Sequence, residues 1–218
     1  MRWRVFVIVA ATGTCFAAGF AAEPLRLSLS QADLGKLPPG WSAAKTGAGE
    51  GSVWRVVADE SSPTKSGLAL AQTARGPNAV YNLCVADQGR FGRNLHLRVA
   101  LKPIEGELDQ GGGLVWLYRD SNNYYITRYN PLEDNFRVYY VKDGKRVQLA
   151  TKEGLKLDGK TWHTIDVTHR GDAITCTLDG QTNLDVKDAT FTEPGKVGLW
   201  TKADARTHFD SFEAREVK

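Results

Sequence analysis

The sequence of 218 residues lacks the short motifs that identify many catalytic and cofactor sites. Its three cysteines and four histidines form no CxxC pair, no HExxH motif and no other spacing typical of a metal site. It contains no GxSxG nucleophile elbow, no P-loop and no dinucleotide-binding fingerprint. The glycines at positions 111–113 precede no helical segment, so they cannot cradle a phosphate at a helix N-terminus. We therefore predict that no cofactor is required.

An excess of charge of one sign is also missing. The chain has 28 basic and 25 acidic residues, a net charge of +3, and no block of basic residues. Loss of Arg2 and Arg4 with an N-terminal signal would leave 26 basic and 25 acidic residues, a net charge of +1. A nearly neutral chain argues against a nucleic-acid partner and against electrostatic binding to a membrane.

The N-terminus has the pattern of an export signal. A basic start is followed by an apolar run over residues 5–20, which is shorter than the roughly 20 apolar residues of a spanning helix. Gly19 and Ala21 occupy the −3 and −1 positions of a signal-peptidase site. We predict a signal peptide over residues 1–21, export to the periplasm or the extracellular space, and no membrane span after cleavage.

The remaining residues, 22–218, contain no linker, repeat or low-complexity tract. Their length suits one sizeable domain. Two cysteines, Cys84 and Cys176, remain in this part of the chain. In an oxidising compartment they could form a disulfide. The alternative is two buried free thiols, since Cys176 alternates with Ile174 and Leu178 on the apolar face of a predicted strand.

Short alternating segments indicate an all-β fold. Residues 94–103 place leucine or valine at every second position, as in a strand with one buried face. Asp143-Gly144 and Asp179-Gly180 are preferred two-residue hairpin turns. Ten or more short strands without helical periodicity predict two antiparallel sheets packed as a sandwich.

Residues 111–140 are the richest in groups that could bind a ligand. They read as three short strands with aromatic residues at Trp116, Tyr118, Tyr124, Tyr125, Tyr129, Tyr139 and Tyr140. Aromatic rings beside amides, carboxylates and guanidinium groups suit a flat, hydroxyl-rich ligand such as a sugar. Strands favour aromatic residues in any case, so the same pattern also fits an ordinary core.

Residues 111–218 resemble secreted bacterial jelly-roll domains of the concanavalin A-like lectin/glucanase superfamily. The segments that carry the resemblance are GGGLVWLYRDSNNYYITRYNPLEDN, KDGKRVQL, GKTWHTIDV, LDG and GKVGLWTKADARTHFDSFEAR. LPPGWSAAKTG and VWRVVADESS resemble the usual opening of such domains. Within the superfamily, the chain looks closest to a group described as 3-keto-disaccharide hydrolase-like. The resemblance implies an antiparallel jelly-roll sandwich, concanavalin A-like or laminin G-like, in which lectins, laminin-type binding modules and hydrolases all occur.

The resemblance also implies a site. The residues that match recurring positions of the group are Tyr118, Asp120, Asn123, Tyr125, Arg128, Glu133 and Asn135. We predict ligand-binding roles for Tyr118, Asn123, Tyr125, Arg128 and Asn135. If the protein is an enzyme, the candidate catalytic residues are Glu133, Asp120 and His208. Asp120 and Asn123 could instead bond the backbone of a turn, and Arg128 and Glu133 could be a structural ion pair.

Laminarinase-type glucanases of the superfamily carry the motif Glu-x-Asp-x-x-Glu on one strand. The nearest match here is Glu107-Leu108-Asp109, and Gly112 stands where the second Glu should be. Retaining catalysis of that type is therefore not expected. We read Glu107 and Asp109 as a solvated turn.

Sandwiches of this superfamily often hold a structural Ca²⁺, and Asp210 is the candidate ligand here. Three functions remain open from the sequence. The first is carbohydrate binding through an aromatic and polar patch, and the second is cleavage of (3-keto-)disaccharides or glucosides. The third is a non-catalytic domain that binds protein at the cell envelope. The sequence does not reveal the oligomeric state.

Overall fold

The computed structural model describes residues 23–218, which form two antiparallel β-sheets packed face to face. The predicted signal peptide lies outside the described residues. A single turn of 3₁₀ helix, Gln31–Asp33, is found among them. Between residues 23 and 218, no helix has the length and apolarity needed to cross a bilayer. The prediction of an all-β, two-sheet jelly roll is confirmed.

Fifteen strands are found in residues 23–218. In chain order they are β1 (Leu25–Arg26), β2 (Trp41–Thr46), β3 (Trp54–Ala58), β4 (Leu68–Gln72), β5 (Tyr81–Ala86), β6 (Asn94–Glu105), β7 (Gly112–Asp120), β8 (Asn123–Asn130), β9 (Asn135–Lys142), β10 (Lys145–Glu153), β11 (His163–Arg170), β12 (Ala173–Leu178), β13 (Thr182–Lys187), β14 (Lys196–Lys202) and β15 (Arg206–Glu216).

The strand order interleaves distant parts of the chain. Sheet A has the order β13-β12-β11-β6-β15-β4-β3, with β1 also paired to β15. Sheet B has the order β10-β9-β8-β7-β14-β5-β2. The C-terminal strands β14 and β15 therefore lie in the middle of the two sheets, and the last part of the chain is needed to complete both.

Period-two alternation fills the space between the sheets. Leu95, Leu97, Val99 and Leu101 of β6 are all fully buried against sheet B. Each such side chain contributes about 1.5–3 kcal/mol when it leaves water. The predicted hairpin turn at Asp143 has the positive φ of 51° that a tight two-residue turn requires.

Sheet B curls strongly about the face that points away from the core. Thr46 is on the edge strand β2, yet its hydroxyl lies 2.6 Å from that of Tyr124 on β8, four strands away in the sheet order. Arg146 on the other edge strand, β10, lies 5.3 Å from the ring centroid of Tyr81 on β5. The two edges thus approach each other, and the outer face of sheet B is concave.

Glycines permit this curvature at the centre of sheet B. A Cβ on Gly113 of β7 would lie 1.9 Å from the carbonyl oxygen of Thr127 on β8. A Cβ on Gly112 would lie 3.0 Å from Phe209 of sheet A. Glycine therefore allows a close approach of neighbouring backbone or side chains at both positions.

The two cysteines are buried free thiols. Cys84 is on β5 and Cys176 is on β12, so they belong to different sheets. The Cys176 thiol contacts Thr127 on β8, which is three strands from β5 in sheet B. Three strand spacings amount to about 14 Å, well beyond the reach of a disulfide. The disulfide alternative is therefore corrected in favour of free thiols.

Candidate functional site

The concave face of sheet B carries the polar cluster that best fits a ligand site. One register row crosses this face in the order Trp200, Gly113, Arg128 and Arg137. Gly113, which lies between Trp200 and Arg128 in this row, has no side chain, and both of its neighbours in the row are buried. The loop between β8 and β9 brings Glu133 to the same end of the sheet.

Arg128 is buried within the cluster, with 1% of its side chain exposed. Its Nη2 donates to Glu133 Oε2 over 2.8 Å, and its Nη1 lies 3.7 Å from Asp109 Oδ1. Its Nε and Nη1 are buried without a hydrogen-bond partner among residues 23–218. Burial alone would lower the pKa of Arg128, but the Asp109 carboxylate, Tyr139 and Glu133 raise it, so the side chain is charged.

Glu133 forms the open side of the cluster, with 38% of its side chain exposed. Its Oε2 also accepts hydrogen bonds from Asn135 Nδ2 at 3.0 Å and from Arg137 Nη1 at 3.1 Å. Burial would raise the pKa of Glu133, but the Asn135 hydrogen bond and the two guanidinium charges outweigh it and lower the pKa to about 2. Glu133 is therefore a firmly ionised acceptor that fixes Arg128.

The interpretation of Glu107 and Asp109 as a solvated turn holds for Glu107, which is exposed, and is wrong for Asp109, whose side chain is 1% exposed. Its Oδ1 accepts from Asn130 Nδ2 at 3.0 Å, and its Oδ2 lies 3.1 Å from Lys202 Nζ. Burial raises the pKa of Asp109 in spite of the opposing charges of Arg128 and Lys202. Asp109 and Glu133 thus hold the same guanidinium, and their pKa values are shifted in opposite directions.

The Asp204 carboxylate holds the loop that carries Asp109. It accepts hydrogen bonds from the backbone N–H groups of Glu107, Leu108 and Asp109 at 2.8–3.1 Å. Burial would raise the pKa of Asp204, and these three backbone donors lower it. The role of Asp204 in the structure is therefore to position this loop.

Aromatic side chains line the rest of the concave face. Trp200, Tyr139 and Tyr124 are almost fully buried in one cluster with aliphatic residues of β5, β7 and β9. The Arg146 guanidinium lies 4.4 Å from the ring centroid of Tyr139, so it covers this cluster from the β10 side. The face therefore combines aromatic rings with a few convergent charged groups, which is the usual composition of a small-ligand site.

Three of the predicted site residues, Arg128, Glu133 and Asn135, meet in this cluster. Tyr118 lies on the same face but farther along it, where its ring stacks on Tyr124 at 6.0 Å. Tyr118 is thus next to the aromatic cluster rather than next to Arg128.

Asp120 and Asn123 form the turn between β7 and β8. Asp120 Oδ1 accepts from the Asn122 backbone N–H at 2.7 Å and from Asn123 Nδ2 at 3.0 Å. Asn123 Oδ1 accepts in turn from the Asp143 backbone N–H. The eight residues of β8 separate this turn from Glu133 by about 25 Å. The prediction of Asp120 as a catalytic residue alongside Glu133 is therefore corrected, and both turn residues have the local role that was the alternative.

The predicted ligand role of Tyr125 is also corrected. Its side chain points into the core between the sheets and is fully buried. The ring stacks on Trp116 at 5.4 Å, and its hydroxyl donates to Asp188 and accepts from the Phe191 backbone N–H. Alternation along β8 puts Tyr124 and Arg128 on the concave face and Tyr125 on the opposite one.

His208 and Asp210 belong to sheet A, on β15, and not to the Glu133 cluster. His208 Nδ1 lies 2.7 Å from Asp59 Oδ2, which also contacts Lys102. His208 therefore cannot act as a general base beside Glu133, because the two side chains lie on opposite outer faces of the sandwich.

Asp210 is engaged within the protein. Its Oδ2 accepts from the backbone N–H and the hydroxyl of Thr64, and its Oδ1 accepts from the Ser211 N–H. No group of three or more histidine, cysteine, aspartate or glutamate residues within 23–218 is arranged to hold a metal ion. Ca²⁺ needs six to eight oxygen ligands, and the residues around Asp210 do not fit it.

The sequence did not identify Asp109, Arg137 and Lys202 as site residues. Lys202 is far from residues 118–135 in the chain and joins the cluster through the pairing of β14 with β7, whereas Asp109 precedes β7 and joins it through the pairing of β7 with β8. Arg137 had a detectable signal, because it shares strand parity with Asn135.

Comparison with known proteins gives structural matches at low sequence identity. No family model matches the chain, and no curated protein matches it. The carbohydrate-binding module CBM66 from Bacillus subtilis superposes with a TM-score of 0.64 and 16% identity, over 81% of this chain and 96% of the module. A Bacillus subtilis protein of unknown function with a galectin-like fold gives 0.55 and 11%, over 81% and 89% of the two chains. The Ca²⁺-bound VIP36 exoplasmic/lumenal domain gives 0.55 and 12%, over 83% and 85%. These likenesses show a shared fold, the two-sheet jelly-roll sandwich.

Proposed function

We propose that this protein binds a saccharide on the concave face of sheet B, at the cluster of Arg128, Glu133, Asn135, Arg137 and Asp109. The observation that carries the proposal is the buried Arg128 guanidinium, whose Nε and Nη1 have no hydrogen-bond partner among residues 23–218. Buried donors that are left unpaired cost about 1–3 kcal/mol, and more when charged, so native proteins rarely keep them without a reason. Sugar hydroxyl oxygens are acceptors that these donors would suit.

Two neighbouring features support the same ligand. Asn135 Oδ1 is a buried acceptor without a partner in the described part of the chain, so the cluster offers a sugar hydroxyl an acceptor as well as donors. Trp200 and Tyr139 are buried on the same face, so the cluster lies beside an apolar, aromatic part of sheet B. CBM66, which shares the fold, is a carbohydrate-binding module. That likeness supports the class of ligand, and the choice of site depends on the contacts of Arg128.

The second candidate function is cleavage of a glycosidic bond, for which (3-keto-)disaccharides and glucosides are the substrates to test first. The observation that favours it is the opposite pKa shift of two carboxyl groups that contact one guanidinium. Burial raises the pKa of Asp109, whereas the pKa of Glu133 is lowered to about 2. Such a division is what a general acid and an ionised carboxylate require in glycoside hydrolysis.

The test is calorimetric titration of the purified protein with a panel of mono- and disaccharides that includes 3-keto-glucosides, with chromatography of the same mixtures for released products. The variant is Glu133→Gln, and the matched control is Glu153→Gln. Both glutamates contact Arg137, at 3.1 and 3.0 Å, but only Glu133 contacts Arg128. We expect a saccharide to bind the wild type and the control, and to bind Glu133→Gln at least tenfold more weakly.

Product release by the wild type would establish the second candidate, and its loss in both Asp109→Asn and Glu133→Gln would assign the two carboxylates to it. A general acid contributes roughly 10²–10⁴-fold to the rate. Equal affinities of Glu133→Gln and Glu153→Gln would overturn the proposed site. An absence of binding and turnover across the panel would overturn both functions and favour a protein partner.

A further inference from the structure

The outer face of sheet A carries a second cleft, on the side of the sandwich opposite the Arg128 cluster. It encloses about 460 Å³, within the roughly 300–1,000 Å³ of small-ligand sites. The lining side chains that matter for its chemistry are Arg26, His96, Arg98, Phe212, Glu213 and Arg215.

A β-bulge in β15 shapes this cleft. The pairing of β15 with β6 shifts between Asp210 and Glu213, and Ser211 has a positive φ of 53°. Bulges of this kind re-aim side chains and often lie beside functional sites. Here the irregularity turns Phe212 into the core, where its ring meets Trp41 edge-on at 5.1 Å. The surface next to the bulge is therefore formed by the long basic side chains of β1, β6 and β15.

The charge of the lining is predominantly positive. Three arginines face one glutamate, Glu213, which is shared by Arg26 at 2.7 Å and Arg215 at 3.6 Å. Arg98 lies 3.3 Å from Asp166, and that carboxylate is shared with His96 Nε2 at 3.2 Å. Two carboxylates thus neutralise three guanidinium groups only in part, so the lining of the cleft keeps a net positive charge and several N–H donors.

His96 adds an unpartnered ring atom. Its Nδ1 is buried and has no hydrogen-bond partner among residues 23–218, although its Nε2 contacts Asp166. The contact of Nε2 with the Asp166 carboxylate fixes the ring orientation and leaves Nδ1 on the other side of the ring. The three guanidinium groups are always charged and have a fork of donors that matches planar oxyanions.

We propose that this cleft binds the oxyanion group of a small ligand, a carboxylate, sulfate or phosphate, through Arg98 and Arg215, with Arg26 as a third donor. The proposal is independent of the saccharide site, which lies on the other sheet. Arg98 and Arg215 are both about half exposed, so they can close on a ligand without unfolding of the strands.

The test is titration with sulfate, inorganic phosphate, D-glucuronate and D-glucose, at an ionic strength held constant with NaCl so that screening does not change. Binding is measured by calorimetry and by the shift in melting temperature, since a ligand of the folded state stabilises it. We expect saturable binding of at least one of the three anions, whereas any binding of D-glucose belongs to the saccharide site and should be unchanged when the cleft arginines are removed. Arg98→Ala with Arg215→Ala should weaken this binding by tenfold or more.

Two variants serve as controls. Arg170→Ala removes an arginine from an exposed position at the end of β11, and Glu133→Gln alters the saccharide site. Both should bind the anion as the wild type does. An equal loss of anion affinity in Arg170→Ala would reveal a general charge effect and overturn the cleft as the site. An unchanged affinity in the Arg98→Ala, Arg215→Ala double variant would also overturn it. A loss of anion affinity in Glu133→Gln would place the anion on sheet B instead. An absence of anion binding to the wild type would also overturn the proposal.

Discussion

Arg128 and Glu133 are joined by a 2.8 Å hydrogen bond that connects the inside of sheet B to its surface. The Arg128 side chain is 1% exposed and the Glu133 side chain is 38% exposed. A ligand that reaches Glu133 from solvent is therefore next to a charged group that water barely contacts. Electrostatic interactions and hydrogen bonds are stronger in such a position than on an open surface.

Glu133→Gln should lower the free energy of unfolding by an amount that depends on pH. The pKa of Glu133 is about 2 in the folded protein and about 4.3 in an unfolded chain. The stabilisation is thus fully present above pH 4.3 and is lost as the pH falls towards 2. Because Glu133 is partly exposed, solvent screening limits the effect to about 1 kcal/mol at pH 7. Urea unfolding of the wild type and Glu133→Gln at pH 7 and pH 2.5 measures the difference in their free energies of unfolding. A difference that is larger at pH 2.5 than at pH 7 would contradict the lowered pKa of Glu133.

Arg128→Met should destabilise the protein by about 3–5 kcal/mol, because it leaves the buried Asp109 carboxylate with less charge compensation. The matched control is Arg137→Met, which removes a guanidinium from the same glutamate at a side chain that is 23% exposed. The control should lose no more than about 1 kcal/mol. Both values come from guanidinium chloride unfolding. Similar losses in the two variants would mean that the depth of Arg128 has no energetic consequence.

Much of the fold could be predicted from local patterns. The period-two alternation of β6 and the turn at Asp143-Gly144 are properties of the sequence that tertiary contacts only reinforce. The curl of sheet B was not predictable in the same way, because the contact of Thr46 with Tyr124 joins strands that are neither consecutive nor adjacent.

The site was predicted in part, and the errors have a physical pattern. Arg128, Glu133 and Asn135 are close in the chain and meet across one tight turn. Tyr125 was predicted to bind the ligand, but it lies in the core. The alternation of β8 shows that Tyr124 and Tyr125 face opposite sides, and only the packing of the two sheets decides which side is the core. Asp109 has no local signal for burial, since its partner Lys202 is supplied by a strand from the other end of the chain.

Cys84 and Cys176 should behave as two inert thiols. Burial raises the pKa of both, to about 12 for Cys176, so thiolate is scarce at pH 8. In protein that begins at residue 22, Ellman's reagent should react with no thiol in the native state and with two after denaturation. Cys176→Ala should reduce the second value to one. An intact mass 2 Da below the reduced value, with no thiol released on denaturation, would show a disulfide and contradict the positions of the two strands.

Gly113→Ala should be one of the most damaging methyl additions in sheet B. The new Cβ would lie 1.9 Å from the Thr127 carbonyl oxygen and 2.8 Å from its carbonyl carbon, so β7 and β8 must separate. We expect a loss of about 3 kcal/mol, at the upper end of overpacking effects. The matched control is Gly92→Ala, where a Cβ meets nothing within 4 Å and stability should change by less than about 0.5 kcal/mol. Gly113 is also the register partner of Arg128, so the same methyl group should weaken saccharide binding at the Arg128 cluster. If Gly113→Ala unfolds at the same denaturant concentration as Gly92→Ala, the close approach of β7 to β8 at this position is wrong.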